Sequence, residues 1–277
     1  MRPTPPEKLR LGGMALGNGL LVHGPTHWAA AVRDPGGELR VASGPKPHFG
    51  TEAAERVPGV RGVLRLAEAL AVIPLVKRAL PDARLPMQEP RTIGAVTAAA
   101  LAGQAVRRSG EASRTLGREA AIAGIGVLPA LLALRGGELA AYHGVEHKAI
   151  GAYENGDERA ADATKEHDRC GSNLVAPLLA SATAGNVAVR RVGLRGPLAD
   201  AAVGLGSIAF AVEVFALAER HPDTAMARAL RRPGYEIQRA LGTREPTEEQ
   251  LAVGEAALAE ILRVEGVEAG AAGSGSR

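Results

Sequence analysis

Residues 139–154 read Leu-Ala-Ala-Tyr-His-Gly-Val-Glu-His-Lys-Ala-Ile-Gly-Ala-Tyr-Glu, followed by Asn155-Gly156. The stretch reads as one helix, and Asn155-Gly156 stops it, because glycine caps a helix C-terminus without a Cβ penalty. Within it, His143-Gly144-Val145-Glu146-His147 places two imidazoles four residues apart on one face, with Glu146 on the same side. Imidazoles at that spacing can share one metal ion. The neighbouring carboxylate can then take the proton of a water activated there. The pattern H-x-x-E-H is the inverted form of the zinc-protease signature. In a chain with seven histidines, chance produces it in about one sequence in a hundred of this composition.

Twenty residues further on, His167-Asp168-Arg169-Cys170-Gly171-Ser172 supplies a second pair of ligand type, a His and a Cys three apart. Glu213 stands alone in an apolar stretch, where an ionisable side chain needs a partner: a metal or a neighbouring Arg. The candidate ligands of a divalent metal, zinc by donor type, are therefore His143 and His147, with the third drawn from His167, Cys170 or Glu213. Glu146 is the candidate base. Lys148 and Arg169 are charged groups that could assist beside the metal.

Away from these clusters the sequence is rich in small residues. The 277 residues are 46% apolar but only 3% aromatic, so a core has to come from closely packed Ala/Gly-rich helices. A formal charge of +3, scattered basic residues and few aromatics argue against nucleic-acid binding. One cysteine excludes an internal disulfide framework and fits a reducing compartment. The first residues show no signal-peptide h-region.

Four apolar stretches, Ile93–Val106, Ala120–Leu134, Asn173–Val189 and Leu198–Ala218, are separated by Arg-rich segments. Each holds a Gly, a Pro or a polar residue, as packed membrane helices often do, and hydropathy alone leaves an Ala-rich soluble bundle open. Earlier, Trp28–Arg33 and Glu38–Val41 flank Asp34-Pro-Gly-Gly37 and read as a β-hairpin. Val60–Leu80 is helical, with Pro74 expected to bend or end it. Thr247-Glu-Glu-Gln250 is a capping box opening a helix to about Val264. The expected organisation is a disordered N-terminus (1–11), a β-hairpin region and helix (12–90), a helical domain carrying the site (91–264) and a disordered tail (265–277).

Several of these blocks, in this order, resemble the bacterial family called domain of unknown function 1385, described as metal-dependent enzymes of the membrane. Tyr142-His-Gly-Val-Glu-His-Lys148 with Ala152-Tyr-Glu154 resembles its Y-H-G-x-E-H-K and C-Y-E. His167-Asp-Arg-Cys-Gly-Ser172 is similar to its H-P-R-C-G-T, and Thr243-Arg-Glu-Pro246 to its T-R-E-P. Gly12-Gly13, Gly24-Pro25, Ala31-Val-Arg33 and Gly37-Glu38 resemble its opening. Met14, Asn18 and His23 depart from it, standing where the family has Gln, Glu and Arg. If that Glu or Arg belongs to the site, the activity here is altered or lost. The resemblance implies membrane helices and a metal, but no reaction.

The combined expectation is a mainly α, Ala/Gly-rich helical bundle embedded in a membrane, with a small N-terminal β segment from about Gly12 to Ser43. It sits in the cytoplasmic membrane among membrane lipids, its site facing the cytoplasm. The expected activity is metal-dependent hydrolysis of a peptide or a lipid-linked ester. The rival is a non-enzymatic membrane scaffold with a structural metal or none.

Overall fold

The computed structural model describes residues 8–50, 54, 56–108, 116–135, 137–194 and 196–266. Strands β1 (Gly12–Leu16), β2 (Gly19–His23), β3 (His27–Arg33) and β4 (Leu39–Pro45) form one antiparallel sheet in chain order. The expected hairpin is β3–β4, closed by the Asp34–Glu38 turn. The hairpin β1–β2 lies within the expected β segment, though the sequence does not mark its two strands separately. Both faces of β2 and β3 are buried, so Leu20-Leu-Val and Trp28-Ala-Ala-Ala-Val show no polar alternation to read.

The helices are α1 (Val60–Ala79), α2 (Pro90–Arg108), α3 (Leu116–Leu134), α4 (Gly137–Asn155), α5 (Val175–Arg191), α6 (Pro197–Arg220), α7 (Ala225–Ile237) and α8 (Glu248–Val264). One face of the sheet (Leu20, Val22, Ala29, Ala31) packs on Val145 and Ala149 of α4 and on Val253 and Ile261 of α8. The other face (Leu21, Trp28, Ala30, Val32) packs on Val72 and Val76 of α1. Those two valines are fully buried on either side of Pro74. Their burial outweighs the backbone bond that proline removes, so α1 passes through Pro74 instead of ending there.

The site helix and the C-terminal helix form as their sequences indicate. Gly156 takes φ 82° and its N–H reaches Ala152 O at 2.8 Å, closing α4. Thr247 and Gln250 make both bonds of the capping box on α8. The termini depart from expectation. Residues 1–7 and 267–277 lie outside the described ones, but Leu11 is buried in the core and Leu9 N–H donates to Tyr153 Oη at 3.0 Å. Glu265 accepts from the N–H groups of Thr26 and His27, at 2.9 and 2.7 Å.

Helices α2, α3, α5 and α6 form the bundle. Ser181 meets Ser207, and Arg190 meets Asp200, so α5 and α6 run antiparallel. Arg107 also reaches Asp200, gathering charge at the end of the bundle away from the sheet. Three segments, Leu116–Leu134, Gly171–Arg191 and Pro197–Arg220, are long and apolar enough to cross a membrane. The first apolar stretch, within α2, is not among them. Leu128, Leu132, Leu205 and Phe210 point outward, an apolar surface suited to lipid. Accordingly the protein should stay with the membrane fraction through an alkaline carbonate wash and leave it only with detergent. Its appearance in the soluble fraction would reject the membrane reading.

Candidate metal centre

Both histidines of α4 are held the same way. His143 Nδ1 lies 2.7 Å from Gly242 O, and His147 Nδ1 lies 2.6 Å from Lys165 O. A backbone carbonyl only accepts, so each Nδ1 carries the proton and each Nε2 is the atom left to bind something else. His143 Nε2 lies 3.4 Å from Cys170 Sγ. His147 Nε2 is buried and has no hydrogen-bond partner. Ligand atoms of His143, His147 and Cys170 lie within 4.8 Å of one another, all three residues buried. This buried group could hold a metal ion. An Nδ1–H donated to a carbonyl is the usual outer support of a metal-binding imidazole.

The carbonyls come from two remote segments. Gly242 ends a π-helical turn, Gln238–Gly242, after α7, and such turns concentrate at functional sites. Buried Gln238 fixes that turn to the His/Cys loop. Its Oε1 accepts from His167 N–H at 2.8 Å, and its Nε2 donates to His167 O and Ser172 Oγ at 3.2 and 2.9 Å. Arg244 N–H donates to Ala140 O at 3.0 Å. Gly144 lets this segment pass, because a Cβ there would collide with Arg244 O. Neither Gln238 nor the π turn was singled out from sequence. The only signal was the Thr243-Arg-Glu-Pro block, which carried no ligand-type residue.

Glu146 lines a cavity of about 250 Å³ together with His147, His167, Cys170, Arg169 and His23. Burial raises its pKa, against the charges of His143 and His167 and the Ala15 N–H. Strand β1 is the near wall. A Cβ on Gly13 would sit 2.6 Å from Glu146 Cγ, so only glycine leaves room. Burial also lowers His147, helped by the charge of His143, to about 2. Burial opposes protonation of His143 as well, but the bond to Cys170 and the charge of Glu146 outweigh it and raise His143 to about 9. The proton between His143 Nε2 and Cys170 Sγ thus occupies the place an ion would take.

The remaining candidates fall elsewhere. The His167 ring lies 5.7 Å from that of His147, but its Nε2 contacts Glu154 at 3.1 Å and its Nδ1 accepts from Arg169 N–H at 3.2 Å. It is a wall of the cavity and not one of the three gathered donors. Arg169 pairs with the same Glu154. Lys148 donates to Ala161 O, Ala163 O and Glu245 at 3.0, 2.8 and 2.7 Å. That occupies all three of its N–H groups in holding loops together, and it does not line the cavity. Glu213 accepts from Arg61 and from Gly59 N–H, an ion-pair partner and not part of the donor group.

The departures from the family opening also separate. Asn18 bonds Arg33 O, Asp82 O and Arg84 N–H at the β1–β2 turn, the opposite end of the hairpin from the cavity. His23 lines the cavity itself, and burial and nearby Lys46 lower it to about 4, so it stands there neutral.

Residues 138–264 match the model of a family described as protein of unknown function (DUF1385), which supports the resemblance read from the sequence. No curated protein and no solved structure matches the chain.

Two measurements test the centre. His147→Ala removes a donor where Ala is a good helix former, so helix content should hold while metal affinity falls at least about 100-fold. Thr247→Ala is the control, expected to cost about 1 kcal/mol through the lost cap and to leave metal content unchanged. Equal metal content in wild type and His147→Ala rejects the centre. Separately, an ion has to displace the His143 proton, whose pKa is raised. Affinity measured against a chelator should therefore climb about tenfold per pH unit from 6.5 toward 9 and level off above it. A flat profile contradicts that assignment.

Proposed function

We propose that the protein is a metal-dependent hydrolase at the membrane surface, with a zinc-type ion held by His143, His147 and Cys170. The observation that carries this reading is the common orientation of the two imidazoles. Each is fixed through Nδ1 to a carbonyl, with Nε2 left for the shared point beside Cys170. Two nitrogens and a sulfur are a zinc-type donor set. Among the described residues no fourth side chain joins the group, which supports a reaction site over a closed structural one, since structural zinc takes four protein ligands. When bound, such an ion supplies Lewis-acid polarisation of a substrate oxygen.

The chain's own groups do the rest. Glu146 is positioned by Ala15 N–H, and its burial-raised pKa suits it to accept a proton and return it to a leaving group. Neutral His23, with His167 and Arg169, supplies polar wall to the same cavity. At about 250 Å³ the cavity suits a small reacting group such as a single ester or amide, not a long peptide. Leu66 and Ala69 of α1 close one side and restrict water. The substrate class remains a peptide or lipid-linked ester, presented by the bilayer that α3, α5 and α6 are suited to enter.

We assign the site to the cytoplasmic side of the cytoplasmic membrane, because a thiol ligand has to stay reduced. Arginines flank both ends of the bundle, Arg84, Arg91 and Arg135 at the sheet end and Arg107 and Arg190 at the other, so the positive-inside rule does not oppose this side. Glu146→Gln tests the mechanism, since it keeps the shape and removes the base. Metal content should persist and the cellular phenotype of the deletion should reappear, with any measured turnover falling about 100-fold or more. Full complementation by a metal-loaded Glu146→Gln variant would exclude the hydrolase reading.

A further inference from the structure

A second feature lies away from the metal centre, between α2 and α3. A groove of about 650 Å³ runs along the pair, apolar along its length between Val96, Ala99 and Gly103 on one side and Ile122, Gly126 and Pro129 on the other, with Gln104, Arg107 and Asp200 at its far end. From Thr92 to Arg107 it extends about 22 Å at 1.5 Å per residue. That exceeds the ~15 Å that one leaflet contributes to a ~30 Å hydrocarbon core. A Cβ on Gly103 or Gly126 would meet nothing within 4 Å, so the groove is open space and not a tight helix contact.

At the sheet end the groove changes character. Thr92 and Ala133 also line a polar cup of about 480 Å³ that holds Arg84, Arg91 and Arg135 with Glu89 and Glu138. Among the described residues none of these three guanidinium groups forms an ion pair, while Glu138 is engaged by Gln250 Nε2 at 2.8 Å. The first turns of α2 and α4 also line the cup with partial positive charge, which the C-terminal turn of α3 and the carboxylate of Glu89 offset in part, so the three arginines decide its sign. Asn18 fixes the base of the cup by accepting from Arg84 N–H at 2.8 Å. The cup lies where α2 begins and α3 ends, at one boundary of the bundle's apolar zone, where phosphates of a bilayer would stand.

We propose that this groove binds one membrane lipid with an anionic, phosphate-bearing headgroup. The chain lies between α2 and α3, and the phosphate sits among Arg84, Arg91 and Arg135. Planar guanidinium groups with no carboxylate partner are suited to bidentate contact with phosphate oxygens. The cup and the metal-centre cavity share no lining residue, so the lipid is a resident companion of the fold and not the substrate of Glu146.

The test is native mass spectrometry of the detergent-purified full chain, titrated with phosphatidylglycerol, phosphatidylcholine or inorganic phosphate. One phosphatidylglycerol should bind per chain, about tenfold or more tighter than phosphatidylcholine, and millimolar phosphate should not displace it. The triple variant Arg84→Gln, Arg91→Gln, Arg135→Gln and, independently, the groove-filling pair Gly103→Leu, Gly126→Leu should each weaken it about tenfold or more. Helix content is read by circular dichroism, and Ala100→Leu, in the same groove, replaces the glycine pair if that pair fails to fold. Metal content should match wild type throughout, so this outcome is separable from that of the metal centre. Unchanged binding in the groove-filling variants would reduce the effect to general headgroup attraction and overturn the proposal. Equal binding of phosphatidylcholine, or displacement by phosphate alone, would overturn it too.

Discussion

Two hydrogen bonds organise the site, His143 Nδ1–H to Gly242 O and His147 Nδ1–H to Lys165 O. A helix can place two histidines on one face, but it does not decide which nitrogen of each ring faces inward. Here that choice is made by carbonyls from the loop after α4 and from the π turn after α7. Because each bond also fixes a ring plane, the donor geometry is only as firm as those two segments. Gln238 ties them together, with three hydrogen bonds to His167 and Ser172. A fully satisfied buried network of this kind is rigid, and a partly satisfied one would be costly.

The sequence was legible wherever a residue acts through its own chemistry at short range. The pairs His143/His147 and His167/Cys170, the stop at Gly156 and the capping box at Thr247 are local patterns, and each corresponds to a feature of the fold. The structure separates the second pair by role, with Cys170 among the donors and His167 held by Glu154 and Arg169 N–H. Spacing could not make that distinction, because it depends on which partners tertiary packing delivers. Lys148 illustrates the same limit. It adjoins a donor in sequence, yet its helical position turns it to loop carbonyls on another side. Glu213 needed a partner, as an ionisable group in an apolar helix does, and α1 supplies Arg61.

What sequence could not reveal depends on groups every residue has. Gly242 O, Lys165 O and Ala15 N–H are backbone atoms, so no residue type marks them. Strands β1 and β2 lie within the expected β segment, but their individual bounds escaped for a related reason. Helices cover both sheet faces, and the alternation that marks a half-buried strand is absent. The bundle was visible as apolar stretches, but α2 carries too much polarity to qualify as a span beside α3.

The N-terminal sheet, which lies outside the matched family segment 138–264, is nevertheless part of the site. Gly13 leaves the space that Glu146 fills, Ala15 N–H faces the carboxylate, and Gly12 and His23 line the same cavity. In water Glu146 would keep an ordinary carboxylate pKa; the enclosure completed by β1 and β2 is what raises it. The three metal-type donors all fall within the matched segment, whereas the environment of the proposed base is completed by residues before it. The donor group alone therefore describes a place for an ion. The sheet encloses the Glu146 carboxylate of α4 beside that place, and this enclosed carboxylate is what the proposed reaction would require beyond an ion.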